Sequence, residues 1–112
     1  MSPAASGCCQ VTTTLPDRAL ADRIASTVVD ARLAACAQVI GPLTSTYHWQ
    51  GRMETAEEWY CFLKTTEEKL PALQARLREL HPYEVPEIIA VPIAGGDPAY
   101  LRWIRNSVEP PR

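Results

Sequence analysis

An α+β fold, built from a small antiparallel sheet with helices on one side, is what this sequence predicts. Three observations lead there. Segments of two-residue alternation, rich in β-branched and aromatic residues, are interleaved with segments of three- and four-residue hydrophobic spacing. Proline and glycine steps punctuate the boundaries. At 112 residues the chain can bury one core and not two.

The first strand runs from Cys9 to Leu15 (CQVTTTL) and stops at Pro16. Asp17 then opens a helix as N-cap or first-turn anion. Leu20, Ile24, Val28, Ala31 and Ala35 recur at helical intervals, which predicts an amphipathic helix of about 18 residues. Cys36 to Ile40 is a second strand, broken at Gly41-Pro42 and resuming from Thr44 to Trp49. A Gly-Pro step in a strand predicts a bulge or bend. Gln50-Gly51-Arg52 is a turn, and Glu57 to Thr65 (EEWYCFLKT) is the returning strand. Its two sides carry Trp59, Cys61 and Leu63, and Tyr60, Phe62 and Lys64. Aromatic residues on both sides predict that something covers both.

A second helix spans Lys69 to Leu80, with Leu70, Leu73, Leu77 and Leu80 on one face and Pro71 tolerated in the first turn. His81-Pro82 ends it. Ile88 to Ile93 (IIAVPI) is almost wholly apolar, which predicts a central strand, with Pro92 removing one ladder donor. Asp97-Pro98 opens a short last helix whose inner face is Tyr100, Leu101, Ile104 and Val108. The order β-α-β-β-α-β plus a terminal helix is the split βαβ, or ferredoxin-like, arrangement. One domain is expected over residues 8–108, between a flexible tail at 1–7 and a loose one at 109–112. One sheet face would stay bare unless a second chain covered it, so a homo-oligomer is predicted.

Composition narrows the function. Eleven Lys and Arg residues are scattered among 13 acids, for a net charge of -2, so no basic stripe for nucleic acid exists. No apolar run reaches the ~20 residues of a membrane span. Met1 to Gly7 does not read as a secretory leader, so the expected compartment is the cytoplasm. Four cysteines, Cys8, Cys9, Cys36 and Cys61, are spaced for neither a zinc site nor a disulfide scaffold. Cys36 and Cys61 are expected in the core. His48 reads as a solvated imidazole.

No catalytic constellation emerges. Glu57 and Glu58, as strand neighbours, point to opposite faces. Glu67 and Glu68 fit the first turn of a helix. The densest chemistry is His81-Pro82-Tyr83-Glu84-Val85-Pro86-Glu87. There two prolines stiffen a loop bearing a His, a Tyr and acids, and His81 sits at a helix C-terminus that favours imidazolium.

That run resembles a known family when read with Leu33-Ala34-Ala35-Cys36, Tyr47-His48-Trp49-Gln50-Gly51, Leu63-Lys64-Thr65 and Gly96-Asp97-Pro98-Ala99-Tyr100-Leu101. Together these motifs, in order over about Cys9 to Val108, resemble the CutA family of divalent-cation tolerance proteins. The resemblance implies a ferredoxin-like subunit in a homotrimer, architecturally similar to the PII signalling proteins. It also implies a cytoplasmic role in tolerance of copper and other divalent ions, without an enzymatic reaction. The family's copper site joins a cysteine to two consecutive histidines. Here those positions hold Thr13, Leu80 and His81, so His81 is the one metal ligand carried over and Cu(II) or another divalent cation is expected to bind weakly. No obligatory cofactor is implied. Trp49, Lys64, Tyr83 and Glu87 resemble residues around the family's inter-subunit clefts, where a small polar or anionic ligand would bind between Lys64 and Glu87. A structural trimer that presents its surface to a protein partner is the alternative. An enzyme using His81, Tyr83 and Glu87 at the cleft is a third possibility.

Overall fold

Alternation along β1 (Cys8–Leu15) sets the two faces of the sheet. Val11, Thr13 and Leu15 turn into the core, and Gln10, Thr12 and Thr14 turn away from it. The computed structural model describes residues 6–110. After β1 come α1 (Arg18–Asp30), β2 (Cys36–Trp49), β3 (Arg52–Thr66), α2 (Leu70–Leu80), β4 (Ile88–Pro92) and α3 (Pro98–Ser107). The four strands form one sheet in the order β2-β3-β1-β4, with every neighbouring pair antiparallel. This is the expected split βαβ arrangement with a terminal helix. No helix among the described residues is long and apolar enough to cross a membrane.

The core lies between one sheet face and α1 and α2. Val11, Leu15, Cys61 and Leu63 meet Ile24 and Val28 from α1 and Leu73 and Leu77 from α2. A second cluster packs α3 against the chain's start, through Cys8, Ala35, Ile104 and Val108. Asp17 caps α1 by accepting from the Leu20 N–H at 2.7 Å, and Asp97 caps α3 by accepting from Tyr100 N–H at 3.0 Å.

Helix α1 is shorter than its hydrophobic spacing predicts. It stops at Asp30 because Arg32 adopts a left-handed φ of 59°. The Leu33 N–H then returns to the Val28 carbonyl and the Arg32 N–H to that of Val29, both at 3.0 Å. This is the Schellman ending, usually built on glycine. Ala31 and Ala35 therefore kept the helical period in sequence without being helical. Glu67 and Glu68 lie in the turn before α2 and not in its first turn.

The β2–β3 hairpin is longer than expected. Gln50 and Gly51 have φ of 52° and 77°, a type I′ turn that lets Trp49 pair with Arg52 at once. The polar residues from Arg52 to Glu57 carry no strand signal of their own, yet they pair along β2. Residues Trp59 to Thr66 of β3 also pair with β1. The rest of the hairpin projects beyond the four-stranded sheet as an arm, which gives the molecule its 47 × 29 × 22 Å outline. The expected bulge sits between Ile40 and Leu43.

Strand β4 is an edge strand, not a central one. Its apolar character has two sources. Ile88 and Ala90 pack on the core, while Ile89 and Val91 face the open side of the sheet. Nor does Pro92 remove a ladder donor. The Ile93 N–H points inward to the Cys8 carbonyl at 2.9 Å, so the neighbouring nitrogen of Pro92 points outward. Tyr100 was expected on the inner face of α3. It instead lies outside, stacked on Trp103 with ring centroids 5.5 Å apart. Most of the expected N-terminal tail, residues 1–5, lies outside the described residues. Its last two residues are tied down, with the Ser6 carbonyl accepting from Arg105 and that of Gly7 from the Glu67 N–H. Of the expected C-terminal tail, residues 111–112 lie outside the description.

Candidate functional site

Between the hairpin arm and the segment from Pro82 to Glu87 lies a cleft of about 690 Å³, on the sheet face opposite α1 and α2. The strand period places Tyr47 and Trp49 of β2, and Glu58 and Tyr60 of β3, along one side of this face. Thr14 of β1 contributes to the floor, and Tyr83 and Glu87 close the far wall. The two prolines of the Pro82–Glu87 segment stiffen that wall, which bends at Tyr83 to Val85.

Of the sequence-predicted residues, the structure brings Trp49, Tyr83 and Glu87 into this one cleft. Lys64 does not join them. It lies six positions from Glu58 on β3, about 20 Å along the strand by its rise per residue. There its Nζ donates to Gln38 Oε1 at 2.7 Å.

His81 lies behind the wall, 8% exposed. Its Nε2 is 2.8 Å from the Thr14 carbonyl, and its Nδ1 receives the Tyr83 N–H at 3.2 Å. A carbonyl can only accept and an N–H can only donate, so the partners fix a neutral ring protonated on Nε2. Burial lowers the His81 pKa below its ordinary 6.5 and outweighs the Thr14 carbonyl and Glu58, which pull it upward. The expected imidazolium at the helix end is therefore not the favoured form. The ring also packs on Tyr83, centroid to centroid 4.8 Å.

Glu58 was missed by the sequence reasoning, which treated it as half of an idle carboxylate pair. It is 6% exposed, and its Oε2 accepts the Tyr83 hydroxyl proton at 2.8 Å. Burial and this acid raise the Tyr83 hydroxyl above its ordinary range. Burial, then repulsion from Glu58, raises Glu87 as well. The available signal was parity: Glu58 shares a strand face with Tyr60 and Phe62 and sits one register step from the Gly41-Pro42 bulge.

The family's copper positions do not form a donor set here. Thr13 faces the core with no exposure, and its Oγ1 has no hydrogen-bond partner among the described residues. Leu80 packs on the core. Both nitrogens of His81 are engaged, so a metal would first have to break one of its hydrogen bonds. The thiols add nothing. Burial pushes Cys9 and Cys61 up to about 11, which keeps them protonated. Cys36 is not in the core as expected. It lies half-buried on the open face, with its Sγ 3.9 Å from the Tyr100 hydroxyl. His48 is exposed, as expected.

A split βαβ sheet with a terminal helix, and an aromatic, acidic cleft beside its open face, makes this a small α+β protein of the ferredoxin-like class. The family model for the CutA1 divalent ion tolerance protein matches residues 9–107, and the chain belongs to that family. It is 45% identical over 94 residues to the divalent-cation tolerance protein CutA of Thermus thermophilus, covering 84% of this chain and 91% of the relative. It is 43% identical over 96 residues to the human protein CutA, covering 86% of this chain. The chain spans about half the length of that relative, 54%. Among solved structures, the Thermus thermophilus protein superposes with a TM-score of 0.87 at 43% identity, over 89% of this chain and 97% of that one. CutA from Xylella fastidiosa gives 0.89 at 39% identity, over 92% and 99%.

Proposed function

We propose that this chain is a homotrimeric, cytoplasmic protein of the divalent-cation (copper) tolerance class. It holds a small ligand in the cleft between hairpin arm and Pro82–Glu87 segment and acts by regulation without catalysing a reaction. The observation that carries the assembly is the uncovered sheet face beside the cleft. Ile40, Ile89 and Val91 are 62%, 52% and 56% exposed there, with Tyr60 and Phe62 on the same face between them. Apolar groups of this exposure, on either side of the polar β1 row of Gln10 and Thr12, support burial against further copies of the same chain, and family membership supports three. The four described cysteines are free thiols, which supports a reducing compartment.

Copper ligation is not the basis of the proposed role, because Thr13, Leu80 and His81 offer one imidazole between them and its nitrogens are already engaged. Catalysis at the cleft has as little support. His81 is held neutral behind the wall, and the Tyr83 hydroxyl is bound to Glu58. The alternative of a trimer that serves mainly to present a surface to a protein partner draws support from the exposed Tyr100–Trp103 stack on α3. Light scattering coupled to size exclusion at micromolar concentration tests the assembly, with three times the 12.4 kDa subunit mass expected. A monomer would leave the open face and its proposed role without basis.

A further inference from the structure

We infer that the hairpin arm carries a site for a soft monovalent metal ion, Cu(I) or Ag(I), held by the imidazole of His48 and the thioether of Met53. This goes beyond the cleft reading, does not rest on it, and shares no residue with the Thr13, Leu80 and His81 positions. Strand register brings the two side chains together. His48 of β2 pairs directly with Met53 of β3, one step before the turn. Trp49 and Arg52 close that two-residue type I′ turn as a hydrogen-bonded pair. The next pair along, His48 and Met53, is therefore a non-hydrogen-bonded one, in which side chains stand closest. Directly opposite residues of this kind have Cβ atoms about 4.5–5.5 Å apart. From there an imidazole nitrogen and a thioether sulfur can converge on one ion.

Core packing does not explain Met53. At 71% it is more exposed than Ile40, Ile89 or Val91, and it lies on a polar side of the arm. Alternation puts Thr55 and Glu57 on that side with His48 and Met53, and all four are exposed. Tyr47 and Trp49 point the other way, into the cleft on the open sheet face. Copies packed on the open face therefore meet the aromatic side of the arm, and the His48–Met53 pair is complete within one chain. The donor types set the metal. A thioether selects Cu(I) over hard divalent ions, while imidazole serves either kind of copper and zinc. The other soft donors among the described residues lie elsewhere. Cys8, Cys9 and Cys61 are buried, and half-buried Cys36 is at the far end of β2.

The test is an anaerobic Cu(I) titration of the assembled protein at pH 7.5, in competition with bicinchoninate, a coloured Cu(I) chelator. Cys36→Ser is the background throughout, so that the half-buried thiol contributes nothing. One Cu(I) per chain is expected, and His48→Ala and Met53→Leu should each weaken it by at least about tenfold. Zn(II) binding should not depend on Met53. As a second readout, Ag(I) should shift the methyl resonance of Met53, and much less so in His48→Ala. That shift in the unsubstituted arm decides the matter if either variant disturbs folding or assembly. Unchanged affinity in both variants overturns the inference. A loss in His48→Ala alone means a lone surface imidazole and overturns it too, as does a Met53 methyl that Ag(I) leaves in place. The site is counted per chain, so a monomeric mass, which would sink the assembly, leaves this result readable.

Discussion

A histidine just past a helix C-terminus ordinarily gains affinity for a proton from the carbonyls there. His81 occupies that place and is held neutral, because desolvation outweighs the pull of the Thr14 carbonyl and Glu58 toward the charged form. The sign of the resulting pH dependence follows. The folded pKa lies below the ordinary 6.5, so the unfolded chain binds the extra proton first. This group's stability contribution is complete above pH 6.5 and is lost as the pH falls from there toward the folded value. Within that window the slope is at most about 1.4 kcal/mol per pH unit for one group. Urea unfolding between pH 7.5 and 5 should show a steeper loss for the wild type than for His81→Gln, which keeps a donor for Thr14. Parallel curves would mean that His81 already titrates normally. Trp49, Tyr83 and Glu87 were legible as cleft residues through the motifs that carry them. His81's state was not, because its deciding partner, the Thr14 carbonyl, is 67 residues away in sequence. Lys64, expected by resemblance at a cleft between subunits, lies away from the cleft within its own chain, where it is bound to Gln38.

The elements were legible wherever local chemistry decides them. Asp17 and Asp97 cap as read, and the Gly41-Pro42 step is a bulge. Boundaries failed where the signal was backbone geometry, as at Arg32, or where pairing was imposed by the partner strand, as in the polar half of β3. Strand order also eluded the pattern, because Ile89 and Val91 look the same in sequence whether a sheet neighbour or another face covers them. The bulge offers a direct test. A Cβ added at Gly41 would lie 2.6 Å from Trp59 Cδ1 and 2.8 Å from its Cγ, closer than real contacts allow. Trp59 is itself wedged against the core. Gly41→Ala should therefore destabilise by about 1–3 kcal/mol, read as a lower urea midpoint at unchanged slope. An unchanged midpoint would mean the indole moves aside freely.

At the scale of the whole molecule, two large surfaces compete for explanation, the helix-covered face and the open one. The first closes a core within the chain. The second leaves Ile40, Ile89 and Val91 in water at a cost of roughly 25 cal/mol for each Å² of apolar surface left uncovered. The projecting arm has the same need, since the pairing of its two strands alone makes a marginally stable ribbon. Ile89→Arg places a charge in the middle of the open face and touches no residue of the buried core. It should reduce the assembled mass and make the melting temperature fall on dilution, as expected when folding is linked to association. A variant with wild-type mass would show that β4 lies outside the interface.

The outward nitrogen of Pro92 has one more consequence, which concerns the subunit before it meets its partners. A newly made chain exposes β4 as a free sheet edge made of apolar residues, the usual template for runaway strand addition. That edge is only five residues long, and at Pro92 it presents no hydrogen to an incoming strand. Illicit extension loses its footing there, while the ladder to β1 loses nothing. One ring closure in one side chain thus works as a gatekeeper against aggregation at this edge of the sheet.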